Sequence, residues 1–125
     1  MKRQIGKTNV WVNAIGLGSM PLSISKRPSE PEAIKVIHAA IDAGVDFIDT
    51  ANVYCLDDND LGHNESLIKK ALDTHKGSEK IYVATKGGLR RPGGNWVTNG
   101  QPKELRRACE SSLKIFGVDE IFLYQ

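Results

Sequence analysis

The sequence predicts an α/β protein built on a parallel sheet covered by helices. Three observations lead there. Short apolar runs alternate with helical stretches along the 125 residues. The apolar runs show no polar alternation, so both of their faces are covered. Two of them deliver a charged residue at their C-terminal end, where parallel α/β folds build their sites. Two architectures satisfy this order. One is a small doubly wound sheet. The other is a (β/α)8 barrel cut near its middle, since a full barrel needs about 250 residues.

Residues 3–12 predict two short strands around Gly6-Lys7-Thr8-Asn9, a hairpin-turn composition. Residues 14–17 form the next strand. Ser29-Glu30-Pro31-Glu32 starts a helix: Ser29 can cap, Glu32 completes a capping box, and proline is tolerated in the first turn. Ile34, Ile37, His38 and Ile41 then recur at helical spacing, and Gly44 stops the helix. Residues 45–49 form a strand. Residues 64–72 form a second helix, with Leu67, Ile68, Ala71 and Leu72 on one side. Residues 81–85 are β-formers. Pro102 opens a third helix, lined by Leu105, Ala108, Cys109, Leu113 and Phe116 and ended by Gly117. Residues 121–124 form the last strand.

Composition narrows the function classes. The net charge of +2, with 40% hydrophobic and 26% charged residues, is that of an ordinary globular domain. It is too balanced for a nucleic-acid footprint, so no nucleic-acid partner is expected. No run approaches the ~20 apolar residues of a membrane span, and no apolar segment follows Met1-Lys2-Arg3 as a secretory signal requires. The two cysteines, Cys55 and Cys109, are far apart and fit a reducing cytosol, so a cytoplasmic protein is expected. Cys109 reads as a small buried residue on a helix. Cys55, in a polar loop, is expected to be exposed.

The strand ends carry the chemistry. One strand ends in Asp49 and another runs into Lys86. These two charges either form a structural ion pair at the sheet rim or face a cavity. Tyr54 follows Asp49 by five residues. It is either surface packing or a proton donor, because an ammonium beside a phenol stabilises the phenolate left after proton transfer.

Other motifs fail. Gly16-Leu17-Gly18 lacks the third glycine of a dinucleotide fingerprint, since position 21 is Pro21. Asp57-Asp58-Asn59-Asp60 lacks the later oxygen ligands of a calcium loop. His38, His63 and His75 have no metal-ligand spacing. Arg90-Arg91 and Lys69-Lys70 read as solvated basic pairs.

Three segments resemble the N-terminal half of an aldo-keto reductase: Ile15-Gly16-Leu17-Gly18-Ser19-Met20, the element from Gly44 to Tyr54 that contains Asp49-Thr50-Ala51-Asn52-Val53-Tyr54, and Val83-Ala84-Thr85-Lys86-Gly87-Gly88. Residues 105–125 are similar to that family's third helix and fourth strand, and the likeness covers essentially the whole chain. The resemblance implies a partial (β/α)8 TIM-type barrel with an N-terminal hairpin and about four parallel βα units. It implies NADPH as cofactor and a small carbonyl compound as substrate. Tyr54 would be the proton donor, Lys86 would assist it, and Asp49 would pair with Lys86. Gly18, Ser19, Met20 and Asp49 would lie near the nicotinamide.

The sequence also departs from the family. The family's histidine, two residues past the Leu123-Tyr124-Gln125 element, lies beyond Gln125, and Cys55 replaces a glycine common after the tyrosine. The residues are therefore expected to be the first half of a barrel, inactive alone and self-associating through free sheet edges. A cofactor-sensing auxiliary module and a functionless fragment are the alternatives to an enzyme.

Overall fold

The computed structural model describes residues 1–125. The chain opens with an antiparallel hairpin, β1 (Lys2–Gln4) and β2 (Trp11–Asn13), in which Lys2 faces Asn13 and Gln4 faces Trp11. Asp46 fastens this hairpin beneath the sheet. Its carboxylate accepts the Asn13 backbone N–H at 2.7 Å and pairs with the Lys2 ammonium.

Four strands form the main sheet: β3 (Leu17–Gly18), β4 (Phe47–Asp49), β5 (Tyr82–Thr85) and β8 (Leu123–Tyr124). They lie in the order β3-β4-β5-β8, with every pair parallel. Between β5 and β8 the chain makes a small antiparallel pair, β6 (Leu89–Arg90) and β7 (Val97–Thr98). Three helices complete the fold: α1 (Glu30–Asp42), α2 (His63–Thr74) and α3 (Pro102–Phe116).

The core sits between one face of the sheet and the helices. Ala33, Ile37 and Ile41 recur every four residues on α1 and so share a face. They meet Leu67, Ile68 and Ala71 of α2 over Ile48 of β4, with Leu17 and Val83 packed alongside. At the start of α1 the Glu32 carboxylate accepts the Ser29 backbone N–H at 3.0 Å and its hydroxyl at 2.6 Å. That reaches back over otherwise unpaired helix-start groups, as the Ser-x-x-Glu spacing predicts.

The predicted strands and helices are all present, but the strands are shorter. Residues 14–16 stand outside β3 because the chain there serves the hairpin: the Ala14 N–H donates to the Met1 carbonyl at 3.0 Å. The β6–β7 pair was not anticipated, since two-residue strands amid Gly and Pro carry no periodicity. The edges of the parallel sheet are β3 and β8.

Candidate active site

The parallel register places Gly18, Asp49, Ala84 and Leu123 in one row across the sheet. Asp49 closes β4, and Lys86 follows the last residue of neighbouring β5. A side chain at either place projects from the C-terminal rim, so the pairing expected from the sequence is a consequence of register. The Lys86 ammonium donates to both Asp49 carboxylate oxygens at 2.9 Å and to the Thr50 carbonyl at 2.7 Å. It also lies 3.1 Å from the Tyr54 hydroxyl oxygen and 4.9 Å from the centre of its ring. Lysine carries three ammonium protons, and these partners use all of them. The side chains of Lys86 and Asp49 are 25% and 34% exposed, so the pair is neither sealed in the core nor free in solvent.

A turn brings Tyr54 to this place. The Tyr54 N–H donates to the Ala51 carbonyl at 3.3 Å, and Ala51, Asn52 and Val53 are buried beneath it. Gln125, which the sequence did not single out, joins the site. Its side-chain amide donates to Asp49 at 3.3 Å, because its backbone N–H donates to the Thr85 carbonyl at 2.9 Å and extends the ladder past β8. Gly87 permits the close packing behind Lys86, since a Cβ there would stand 2.5 Å from the Tyr124 hydroxyl.

Gly18, Ser19 and Met20 divide into two kinds. Gly18 and Met20 are exposed at the rim, and open space stands where a Gly18 Cβ would be. Ser19 presents no surface. Its hydroxyl is turned inward, 2.5 Å from the Asn64 side-chain oxygen and 2.6 Å from the Asp49 carbonyl. Ser19 thus follows β3 with its side chain in the interior, directly between the two exposed rim residues.

Two expectations about exposure are corrected. Cys55 is buried, with its thiol against the Val53 and Asp57 carbonyls at 3.3 Å, and burial pushes it up to about 11, so it is a packed thiol and no nucleophile. Arg91 is only 5% exposed, whereas Arg90 is solvated. The Arg91 guanidinium donates to the Cys55 carbonyl at 3.0 Å and the Leu56 carbonyl at 3.2 Å, and stacks 3.7 Å from the centre of the Trp96 ring. It thereby braces the segment that follows Tyr54. Cys109 is half-buried on α3.

This geometry fixes a lysine side chain between a carboxylate and a backbone carbonyl and sets a phenol beside it. The sequence profile described as the Aldo/keto reductase family matches residues 14–125. The chain belongs to the aldo/keto reductase family.

A 6-dehydroglucose reductase of Novosphingobium aromaticivorans is 35% identical over 126 residues, covering 98% of this chain and 40% of that protein. A Pseudomonas aeruginosa protein assigned to the aldo-keto reductases superposes with a TM-score of 0.82 at 28% identity, covering 98% of this chain and 45% of that one. An aldo-keto reductase of Bacillus halodurans, solved in its holo form, gives 0.78 at 30% identity, covering 99% and 39%. The aldo-keto reductase neighbours are (β/α)8 barrels, and the four parallel strands described here correspond to part of such a barrel. The chain spans less than half the length of these relatives. No helix is long and apolar enough to cross a membrane.

Proposed function

We propose that these residues are the proton-donating part of an NADPH-dependent reductase that converts small aldehydes or ketones to alcohols in the cytoplasm. The observation that carries this is the Lys86 ammonium, fixed by Asp49 and the Thr50 carbonyl and set 3.1 Å from the Tyr54 hydroxyl. Because Lys86 donates to the phenol oxygen, the phenol proton is left to point at a third group. A substrate carbonyl oxygen accepts it as the carbonyl carbon gains hydride, so C=O becomes C–H and O–H. The neighbouring ammonium stabilises the tyrosinate that remains, and Asp49 keeps that ammonium in place.

No side chain can supply hydride; a bound nicotinamide supplies it. The residues present fit that end of the cofactor. Gly18 leaves open space beside Asp49, Met20 is exposed next to it, and the Asp49 carboxylate and Gln125 amide offer polar partners. Gly18, Met20 and Asp49 are the residues we assign to hold it, within a barrel whose first half this chain supplies.

The test is aldehyde-dependent consumption of NADPH by the full-length protein carrying these residues. Tyr54→Phe is expected to lower kcat roughly 10²- to 10⁴-fold, the usual contribution of a positioned acid, while NADPH binding persists. Unchanged turnover in Tyr54→Phe would overturn the assignment. Cofactor binding without turnover in the unsubstituted protein would favour a sensing module.

A further inference from the structure

We infer that the first turn of α2, through Asn64 and Glu65, is the positioning element of the Asp49–Lys86–Tyr54 site, tying together the C-terminal ends of three adjacent strands. This deepens the assignment proposed above and rests on it.

Both side chains are fully buried. Asn64 has two donor protons and two acceptor lone pairs, and each has a polar group within hydrogen-bond distance. Its side-chain oxygen lies 2.5 Å from the Ser19 hydroxyl and 2.5 Å from the Thr50 hydroxyl. Its amide donates to the Ser19 carbonyl at 2.9 Å and to the Ser23 hydroxyl at 2.8 Å. Glu65 accepts the Thr85 hydroxyl at 2.5 Å and the Ser112 hydroxyl of α3 at 2.6 Å on one carboxyl oxygen, while its other oxygen is buried without a partner.

The strand-side partners are immediate neighbours of the site. Ser19 follows β3 between Gly18 and Met20. Thr50 follows Asp49, and its carbonyl holds the Lys86 ammonium. Thr85 precedes Lys86. The turn is itself set by the loop it serves: Gly62, at φ +81° before the helix, donates its N–H to the Asn52 carbonyl at 2.8 Å. That backbone conformation suits glycine.

Two neighbouring residues of one helix thus fix where β3, β4 and β5 end. Hydrogen bonds in so dry a place are strong, and leaving one unmade is costly. A shift of 1 Å at a reacting group costs about a hundredfold in rate, so control of these three ends is control of the chemistry.

The experiment uses isosteric changes on the strand side, because Asn64→Leu alone could fail to fold. Thr50→Val and Thr85→Val remove one hydroxyl each and keep shape. The first readout is proton exchange of the Lys86 ammonium, seen as its 1H–15N cross-peak and assigned by its disappearance in Lys86→Arg. We expect exchange about three- to tenfold faster in each variant, the scale of one hydrogen bond, with the melting transition still cooperative. The second is kcat of the full-length protein, expected to fall about ten- to a hundredfold with KM held. Glu65→Gln keeps the acceptor and shape and is expected to stay within about twofold of the unsubstituted protein, whereas Glu65→Leu is not.

Ammonium exchange unchanged in both threonine variants would overturn the inference. So would a Lys86 ammonium that already exchanges freely in the unsubstituted protein. Slower-exchange behaviour lost on substitution in a protein that turns over no carbonyl would support the positioning role and remove the reductase assignment, so the two fail separately.

Discussion

Helix α2 faces the sheet with two chemistries. From Leu67 to Ala71 it presents Leu67, Ile68 and Ala71 to an apolar interior shared with α1 and Ile48. One turn earlier it presents Asn64 and Glu65, buried as deeply but surrounded by hydroxyls. The apolar stretch lies under the bodies of the strands, and the polar turn lies under their C-terminal ends. Burial alone therefore says little about purpose. Apolar contact is tolerant of small displacement, whereas a hydrogen bond specifies a distance and a direction. The stretch that holds the fold together and the stretch that sets the site are adjacent and distinguishable by chemistry.

The comparison is broken most severely from the apolar side. Ile68 is fully buried at the centre of the cluster, so Ile68→Ala is expected to cost about 2–5 kcal/mol through lost burial and the void left behind. A shift of the urea midpoint with unchanged slope would measure it, and a loss under about 1 kcal/mol would show that α2 is not held by this face.

The polar side is sharpened by pH. Burial pushes the Glu65 carboxyl above its ordinary value of 4.5, outweighing the Ser112 and Thr85 hydrogen bonds that act the other way. The folded protein then binds this proton more tightly than the unfolded chain. The stability it contributes is complete below about 4.5 and is lost as pH rises through the higher folded value. Glu65→Gln is expected to flatten stability against pH over that interval, read from denaturation midpoints at a series of pH values. An equally steep dependence in the variant would place the titration elsewhere.

The smallest effect is expected on the outer face of the same helix. Lys70 pairs with Glu30 of α1, and both side chains are more than half exposed. Lys70→Ala is expected to change stability by less than about 1 kcal/mol, and by less still in high salt.

How much of this was legible in the sequence follows from the same contrast. The apolar spacing of α1 and the Ser29–Glu32 box described a helix that the structure contains, because local pattern and burial agree there. Asp49 and Lys86 were legible because a charge at the end of an apolar strand has few places to go. Asn64 and Glu65 were not. At a helix start such residues resemble solvated or capping groups, and only the hydroxyls of Ser19, Thr50, Thr85 and Ser112 show otherwise. Arg91 misled in the opposite way: half of a basic pair, it is enclosed because Trp96 returns on the neighbouring strand segment to cover it. Cys55 lies in a polar stretch yet is interior, because its own carbonyl is gripped by that guanidinium.

That stacked pair has a practical consequence. These 125 residues contain two tryptophans, Trp11 in the N-terminal hairpin and Trp96 over Arg91. With Trp11→Phe, the indole emission of these residues arises 3.7 Å from a cation that grips the backbone beside Tyr54. The molecule then carries its own optical gauge at the entrance to its chemistry, legible without any attached dye.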